Sequence, residues 1–297
     1  MSAFDKLMKS QNSLDSLIKK IENTSRTADS GSKDDARMWQ PSVDKAGNGM
    51  AIIRFLPPSA VDGGDDGIPW VRVFKHGFQG PGGWLIDECL TTINNGKCPV
   101  CEHNSTLWNS GIDANKNLAR NQKRKLSYYS NVYIVSDPSN KENEGQVKLF
   151  KYGTKIYDKL KEAMDPKFAD ETPINPFHLL EGANFKIKIR NVENYRNYDK
   201  SEFDKPSALL DGDRDKLEAV FNQEYSLKEF HDPKNFKSYD QMKSRLEKVL
   251  GLEGSVNMKT KAEDSIHSFH EDVDVPVFKN SADDEDMDYF KSLAEKS

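Results

Sequence analysis

The cysteines of this chain number three, Cys89, Cys98 and Cys101, and they fall within one short window that His76 precedes. Cys98-Pro99-Val100-Cys101 is a Cys-x-x-Cys turn. Such a turn brings two thiolates to one ion while its amides point at their sulfurs, and a third Cys with a His completes a tetrahedral Cys₃His shell of the structural zinc type. One zinc per chain is the expectation. For the fourth ligand, spacing leans toward His76, with His103 as the competitor two residues past Cys101. The alternatives are a redox Cys-Pro-Val-Cys pair or three unrelated buried thiols. A disulfide framework fits poorly, because the count is odd and nothing marks the chain as secreted.

A second set of residues could hold a polyanion. Lys123-Arg124-Lys125 leads into Tyr128, Tyr129 and Tyr133, and the run from Lys148 to Tyr152 places Phe150 and Lys151 side by side. From Asn184 to Glu193, Phe185, Ile187 and Ile189 alternate with Lys186, Lys188 and Arg190, and Tyr195 and Tyr198 then flank Arg196. Cations that track phosphates and flat rings on which unpaired bases stack are what single-stranded nucleic acid binding requires. The competing reading is a solvated charged face over a β core that uses the same rings as filling. No Walker loop, Rossmann glycine pattern, G-x-S-x-G or HExxH occurs, so a binding protein rather than an enzyme is expected.

Charge is distributed unevenly. The chain has 297 residues, 31% charged, with a net charge of −5 and a mean hydropathy of −0.79. From Glu263 to Ser297 eleven Asp/Glu face three Lys, a net of −8, whereas Asn115 to Lys161 holds eleven Lys/Arg against four Asp/Glu, a net of +7. A basic patch and an acidic tail on one chain are the organising asymmetry. There is no apolar run of membrane-spanning length and no signal-peptide layout, which predicts a soluble intracellular protein.

The elements that must position these groups read mainly as strands. Met50 to Leu56, Trp70 to Phe78, Gly83 to Ile86, Leu126 to Val135, Val147 to Tyr152 and Asn184 to Glu193 alternate or are β-branched and are bounded by turn residues. The metal loop is therefore expected to bridge strands rather than helices. Helices are predicted over Lys155 to Met164, Asp213 to Phe221 and Ser238 to Leu250, the last with a Ser238/Gln241 capping box and a Gly251 stop. Residues 1–23 suit an amphipathic helix that offers Leu14, Leu17, Ile18 and Ile21, with Lys6 and Lys9, to a neighbouring copy or to its own core. The predicted organisation is an arm over 1–23, a linker over 24–37, a core over 38–252 with a zinc part at about 70–108, and a disordered acidic tail over 253–297. Within the tail, Asp283, Asp284, Glu285 and Asp286 precede Met287, Tyr289, Phe290 and Leu293, which share one helical face suited to partner proteins.

An ordered series of landmarks carries a resemblance: Lys45 to Gly49, Ile53-Arg54-Phe55-Leu56-Pro57, His76-Gly77-Phe78, Cys89, Cys98 to Cys101, Lys123-Arg124-Lys125 with Ser127-Tyr128, Asp137-Pro138, Glu142 to Gly145, Glu181-Gly182-Ala183-Asn184-Phe185 and Asn197-Tyr198-Asp199. Together they resemble the T-even-type bacteriophage single-stranded DNA-binding proteins over about residues 38–250. The resemblance implies an OB-fold core with an intrinsic zinc, a cationic cleft that takes single strands without sequence preference, an N-terminal arm for cooperative binding, and an acidic tail that meets replication proteins. On that pattern the family's His ligand falls on His76, and its DNA-contacting groups fall on Tyr128, Phe150, Lys151, Tyr195 and Tyr198 with Lys123, Arg124 and Lys125. Two departures stand out: the basic Ser/Thr motif near the start is reduced to Lys6, Lys9 and Ser10, and the tail ends in Glu295-Lys296-Ser297.

The resulting expectation is a mainly β protein with added helices, an OB-like barrel with an integral zinc loop. It would coat exposed single-stranded DNA cooperatively in phage replication, recombination and repair, in the cytoplasm of the infected bacterial host. The partners implied are polymerase, helicase loader, recombinase mediator and its own messenger RNA. The rival functions are a zinc-bearing interaction scaffold and an RNA-binding translational regulator.

Overall fold

Alternation of apolar and polar residues decides where the strands form in the computed structural model, which describes residues 3–9, 35–64, 67–93, 97–168, 170–192 and 195–252. Among the described residues nine strands form, β1 (Met38–Trp39), β2 (Gly49–Phe55), β3 (Val71–Gly80), β4 (Gly83–Glu88), β5 (Lys125–Ser136), β6 (Val147–Tyr152), β7 (Phe185–Val192), β8 (Tyr195–Asn197) and β9 (Glu202–Phe203). The helices are α1 (Ala3–Lys9), α2 (Pro99–Asn109), α3 (Asp113–Gln122), α4 (Thr154–Met164), α5 (Arg214–Asn222) and α6 (Tyr239–Val249). None of the helices among the described residues is long and apolar enough to cross a membrane.

The chain divides into two compact units. The first holds the described parts of Met1–Lys75, Asp87–Gly96 and Lys125–Lys237. Its sheet runs β1-β6-β5-β2-β7-β8. β5 is the organising strand. Its Lys125–Tyr129 half pairs with Val71–Lys75 of β3, its Val132–Ser136 half pairs with β2, and its opposite edge pairs with β6. β7 extends the sheet beyond β2 and carries β8 and β9 on its own far side.

One face of this sheet closes over an aromatic core. The Phe55 ring lies 5.7 Å from Tyr152, 5.8 Å from Phe177, 5.8 Å from Phe185 and 6.4 Å from Phe150. Trp39, Trp70, Ile53, Val132, Ile134, Ile187 and Ile189 fill the spaces between, and Ile156, Tyr157, Leu160 and Met164 of α4 cap it. A second cluster joins Leu56, Val147, Leu179, Leu209, Leu217, Val220 and Phe221 to Phe4 and Leu7 of α1. The described start of the N-terminal segment thus packs on its own unit. Phe4 is 1% exposed, its ring is 5.7 Å from Phe221, and Asp5 pairs with Arg214.

The second unit contains His76–Ile86, Lys97–Arg124 and the described part of Ser238–Ser297. α6 begins on the expected capping box, with Ser238 Oγ accepting from Gln241 N at 3.3 Å and Gln241 Oε1 accepting from Ser238 N at 3.0 Å. It ends at Gly251, whose φ of 71° is the left-handed stop. Gly82 N donates to Val249 O at 2.8 Å. A Cβ on Gly82 would lie 1.9 Å from Lys248 O, so that approach requires glycine.

One expectation about elements needs correction, and one helix was not expected. The metal loop does not bridge strands alone: Cys98 is the N-cap of α2, Pro99 opens it, and Cys101 lies in its first turn. Pro at the first helical position was the available signal, since its fixed φ and missing N–H cost nothing there. Helix α3 went unread because Asp113–Gln122 is polar almost throughout. Leu14, Leu17, Ile18 and Ile21 of the arm, and Asp283, Asp284, Glu285, Asp286, Met287, Tyr289, Phe290 and Leu293 of the tail, lie outside the described residues.

Candidate metal centre and nucleic-acid interface

β3 delivers His76, the end of β4 leads directly into Cys89, and the N-terminus of α2 supplies Cys98 and Cys101. One ligand atom from each of these four residues lies within 4.8 Å of the others, and all four residues are buried. Cys98 Sγ is 3.5 Å and Cys101 Sγ 3.7 Å from His76 Nε2. A zinc tetrahedron with bonds of about 2.0–2.3 Å has edges of roughly 3.5–3.8 Å, so this spacing fits the ion's shell. His76 Nδ1 faces Gln122 O at 3.4 Å. A ligating imidazole characteristically gives its second N–H to such a carbonyl, which fixes the ring and its tautomer. Gln122 O is itself held by Asn104 Nδ2 at 2.9 Å. Cys89 N donates to Phe74 O at 2.9 Å, which fixes the loop carrying the third sulfur. His103 lies on α2 outside this group. The four residues could hold a metal ion.

The cations and rings of the second set separate into two places. On β3, β5 and β6, Lys75 stands opposite Lys125, Tyr129 opposite Lys151, and Lys151 Nζ lies 5.7 Å from the centre of the Tyr129 ring. Burial, and then the like charge of Lys75, push the Lys151 ammonium down from its ordinary value, while Glu88 opposes that. Lys75 is tied to Glu88 at 2.8 Å. Neither Lys75 nor Arg72, which stands opposite Tyr128, had been singled out from the sequence. The signal was the Val71-Arg72-Val73 alternation, which turns Arg72 away from the core once β3 is drawn as a strand. Lys123 and Arg124 precede β5 and are half-buried.

On the β7–β8 hairpin, Tyr195 is 46% exposed, Arg196 is exposed beside it, and half-buried Tyr198 rests against the aromatic core. The cationic row of β7 is present but occupied: Lys186 pairs with Asp204 at 2.5 Å, Lys188 with Glu202 at 2.6 Å, and Arg190 with Asp199.

Tyr128 and Phe150, expected to offer stacking faces, are placed instead in the core, at 3% and 1% exposure. Tyr128 stacks on Tyr157 with centroids 4.0 Å apart and planes 9° apart. β6 is covered on both faces, Leu149 by Val71, Leu227 and Phe230 and Phe150 by Trp39 and Phe55. The Lys-Leu-Phe-Lys-Tyr run therefore buries its rings and leaves its lysines half-buried. On β5, Tyr129 and Tyr133 are half-buried, and the Tyr129 ring lies 4.4 Å from Phe230.

The gp32 DNA binding protein like family matches residues 47–250, more than half of the chain. Similar proteins are the single-stranded DNA-binding proteins of Enterobacteria phage T2 and Enterobacteria phage T4, each 33% identical over 265 residues, covering 86% of this chain and 85% of theirs. A single-stranded DNA-binding protein of Enterobacteria phage RB70 is 38% identical over 101 residues, 33% of this chain and 80% of that one. These names describe binding rather than catalysis. On the extent of these matches, with the Cys₃His group inside the matched span, this chain belongs to the gp32-like family of DNA-binding proteins.

Proposed function

We propose that this chain binds single-stranded DNA without sequence preference and holds a structural zinc at His76, Cys89, Cys98 and Cys101. Family membership across the matched span is the observation that carries the reading. The surface chemistry agrees with it. Arg72, Lys75, Lys125 and Lys151 gather cationic charge on neighbouring strands, and Lys123 and Arg124 immediately precede Lys125 in the sequence. Tyr195 and Tyr198 offer rings on the hairpin, with Lys186, Lys188 and Arg190 leading into it. Sulfur-rich tetrahedral shells favour zinc over hard, oxygen-seeking cations. We read the first unit's sheet as an OB-like barrel, supported by β5, which pairs with β3 and β2 in succession along one edge.

In this reading the protein coats exposed strands during phage replication, recombination and repair in the cytoplasm of the infected host. Residues 1–23 mediate cooperative contact between copies, and residues 253–297 recruit replication proteins. The test is a salt titration of the purified chain on a labelled poly-T oligomer. Binding that weakens linearly in log K against log salt supports the reading. Absence of binding at low salt rejects it. Because Phe4 and Leu7 pack in the unit's own core, the arm is tested by Leu14→Ser/Leu17→Ser/Ile18→Ser/Ile21→Ser, which should leave affinity for a one-protein oligomer intact and remove the sharp, cooperative coating of a long strand.

A further inference from the structure

β7 presents three cations at every second position, and a second row of three carboxylates answers them one to one. Lys186 meets Asp204, Lys188 meets Glu202 and Arg190 meets Asp199. Side chains two apart on a strand repeat at about 6.8 Å, a spacing that an extended single strand can follow phosphate by phosphate. The acids are not on a loose loop. Asp204 N donates to Asn184 O at 2.8 Å, Lys188 N donates to Ser201 Oγ at 2.9 Å, Asp199 N donates to Asn197 Oδ1 at 2.9 Å, and the Phe203 ring packs 4.7 Å from Phe185. Their backbone is docked on β7 while the charged ends remain near water, at 36–58% exposure. Pairing with Arg190 holds Asp199, and pairing with Lys188 holds Glu202, below the usual carboxylate range, so these two acids are charged at neutral pH.

We propose that Lys186, Lys188 and Arg190 form a rail for three successive phosphates, and that Asp199, Glu202 and Asp204 are specificity-determining residues occupying the rail until a polyphosphate strand displaces them together. This rests on the reading that the chain binds single strands, and it adds how the row selects them. A lone phosphate competes with a tethered carboxylate at high effective concentration and loses. A strand that is already anchored at the Tyr195 and Tyr198 rings brings its phosphates at similarly high effective concentration and wins by side-chain rotation alone, with no movement of the docked backbone. Because the closed ladder is neutral, the rail contributes almost nothing to the salt dependence of binding in the natural protein.

The test compares Asp199→Asn/Glu202→Gln/Asp204→Asn with the natural sequence on poly-T across a salt series. A control, Asp170→Asn/Asp215→Asn/Glu218→Gln, makes the same change of net charge at other positions. Neutralising the three acids should tighten low-salt binding at least tenfold and steepen the log K against log salt slope by about two units, near 0.7 for each of three freed cations. It should also create measurable binding of a trinucleotide. Adding Lys186→Gln/Lys188→Gln/Arg190→Gln should return the slope to that of the natural chain. If the natural chain binds poly-T and the triple variant matches either it or the control, the rail is wrong while the DNA-binding reading stands. If the natural chain binds no single strand, both fall.

Discussion

Arg54 Nε donates to Asn184 Oδ1 at 3.0 Å, across 130 residues of chain. The same guanidinium reaches Ser207 O at 2.8 Å and His178 O at 3.3 Å, and Arg54 is 0% exposed. Burial lowers its pKa to about 10, so it remains charged at neutral pH. A Cβ on Gly182 would lie 2.3 Å from His178 O and 3.1 Å from Arg54 Nη1, which explains why glycine stands there. Arg54→Met should cost about 3–5 kcal/mol, because it strands several buried acceptors. Asn184→Ala should cost about 1–2 kcal/mol. Denaturant melts of both variants and of the double mutant measure this, and a coupling near zero would show that the two side chains act independently.

The rings should divide by exposure into those that stabilise and those that bind. Phe150→Ala should lower stability by about 3–5 kcal/mol, the range for emptying a buried aromatic site. Under native conditions its poly-T affinity should stay within about threefold of the natural chain. Tyr195→Ala should do the reverse, with a nearly unchanged melt and binding weakened by about 1–3 kcal/mol at constant salt slope. Binding titrations at two salt concentrations beside thermal melts separate the two outcomes.

Strands were legible because alternation is written into the chain. β6 runs over the expected Val147–Tyr152, and β7 alternates as Phe185, Ile187 and Ile189 require. Which cations and rings face water was less legible, since a second layer can cover the outer face of a strand. Ile53, Arg54 and Phe55 are consecutive and all buried, because Phe177, Phe185 and their neighbours cover one side and Leu179, Leu209 and Ser207 the other. Period-2 reasoning assumes a single buried face and fails there. The metal ligands were legible because Cys and His are rare and their donor atoms must converge. The acids that close the β7 row were not, because pairing between Asp204 and Lys186 depends on the register of β9 against β7.

Metal removal provides a direct test of the Cys₃His group. Structural zinc contributes folding free energy, so chelation should lower the melting temperature and loosen the loop from Cys89 to Cys101. Elemental analysis of chain purified without chelator should give one zinc. His76→Ala should lose the ion, and His103→Ala should keep it, since His76 Nε2 faces the Cys98 and Cys101 sulfurs. Retention in the first and loss in the second would exchange the ligand.

Stability should depend on pH through two groups near Asp62 that their surroundings hold neutral, buried Glu224 in its protonated form and half-buried His231 in its deprotonated form. Among the described residues Glu224 has no hydrogen-bond partner on either carboxylate oxygen, and burial, with Asp62 nearby, raises its pKa well above the ordinary 4.5. Its folded form binds the proton more tightly than its unfolded form. The stability this provides is present below the ordinary carboxylate pKa and is lost as pH rises through the folded value. His231 behaves in the opposite sense: burial lowers its pKa from 6.5 to about 4, with Asp62 opposing. Its contribution is present above pH 6.5 and is lost as pH falls toward about 4. The loss amounts to ~2 kcal/mol once the partly exposed ring is discounted for solvent screening. Asp62 itself is held by Ser226 Oγ at 2.6 Å and Leu227 N at 2.5 Å, so it remains in place while the other two titrate. Glu224→Gln should therefore raise the melting temperature at pH 8 and flatten the alkaline side of the profile, whereas His231→Asn should flatten the acid side between pH 6.5 and 4. Parallel melts of the three proteins from pH 4 to 9 decide it, and an unchanged alkaline limb in Glu224→Gln would mean that the buried carboxylate is not the group that titrates.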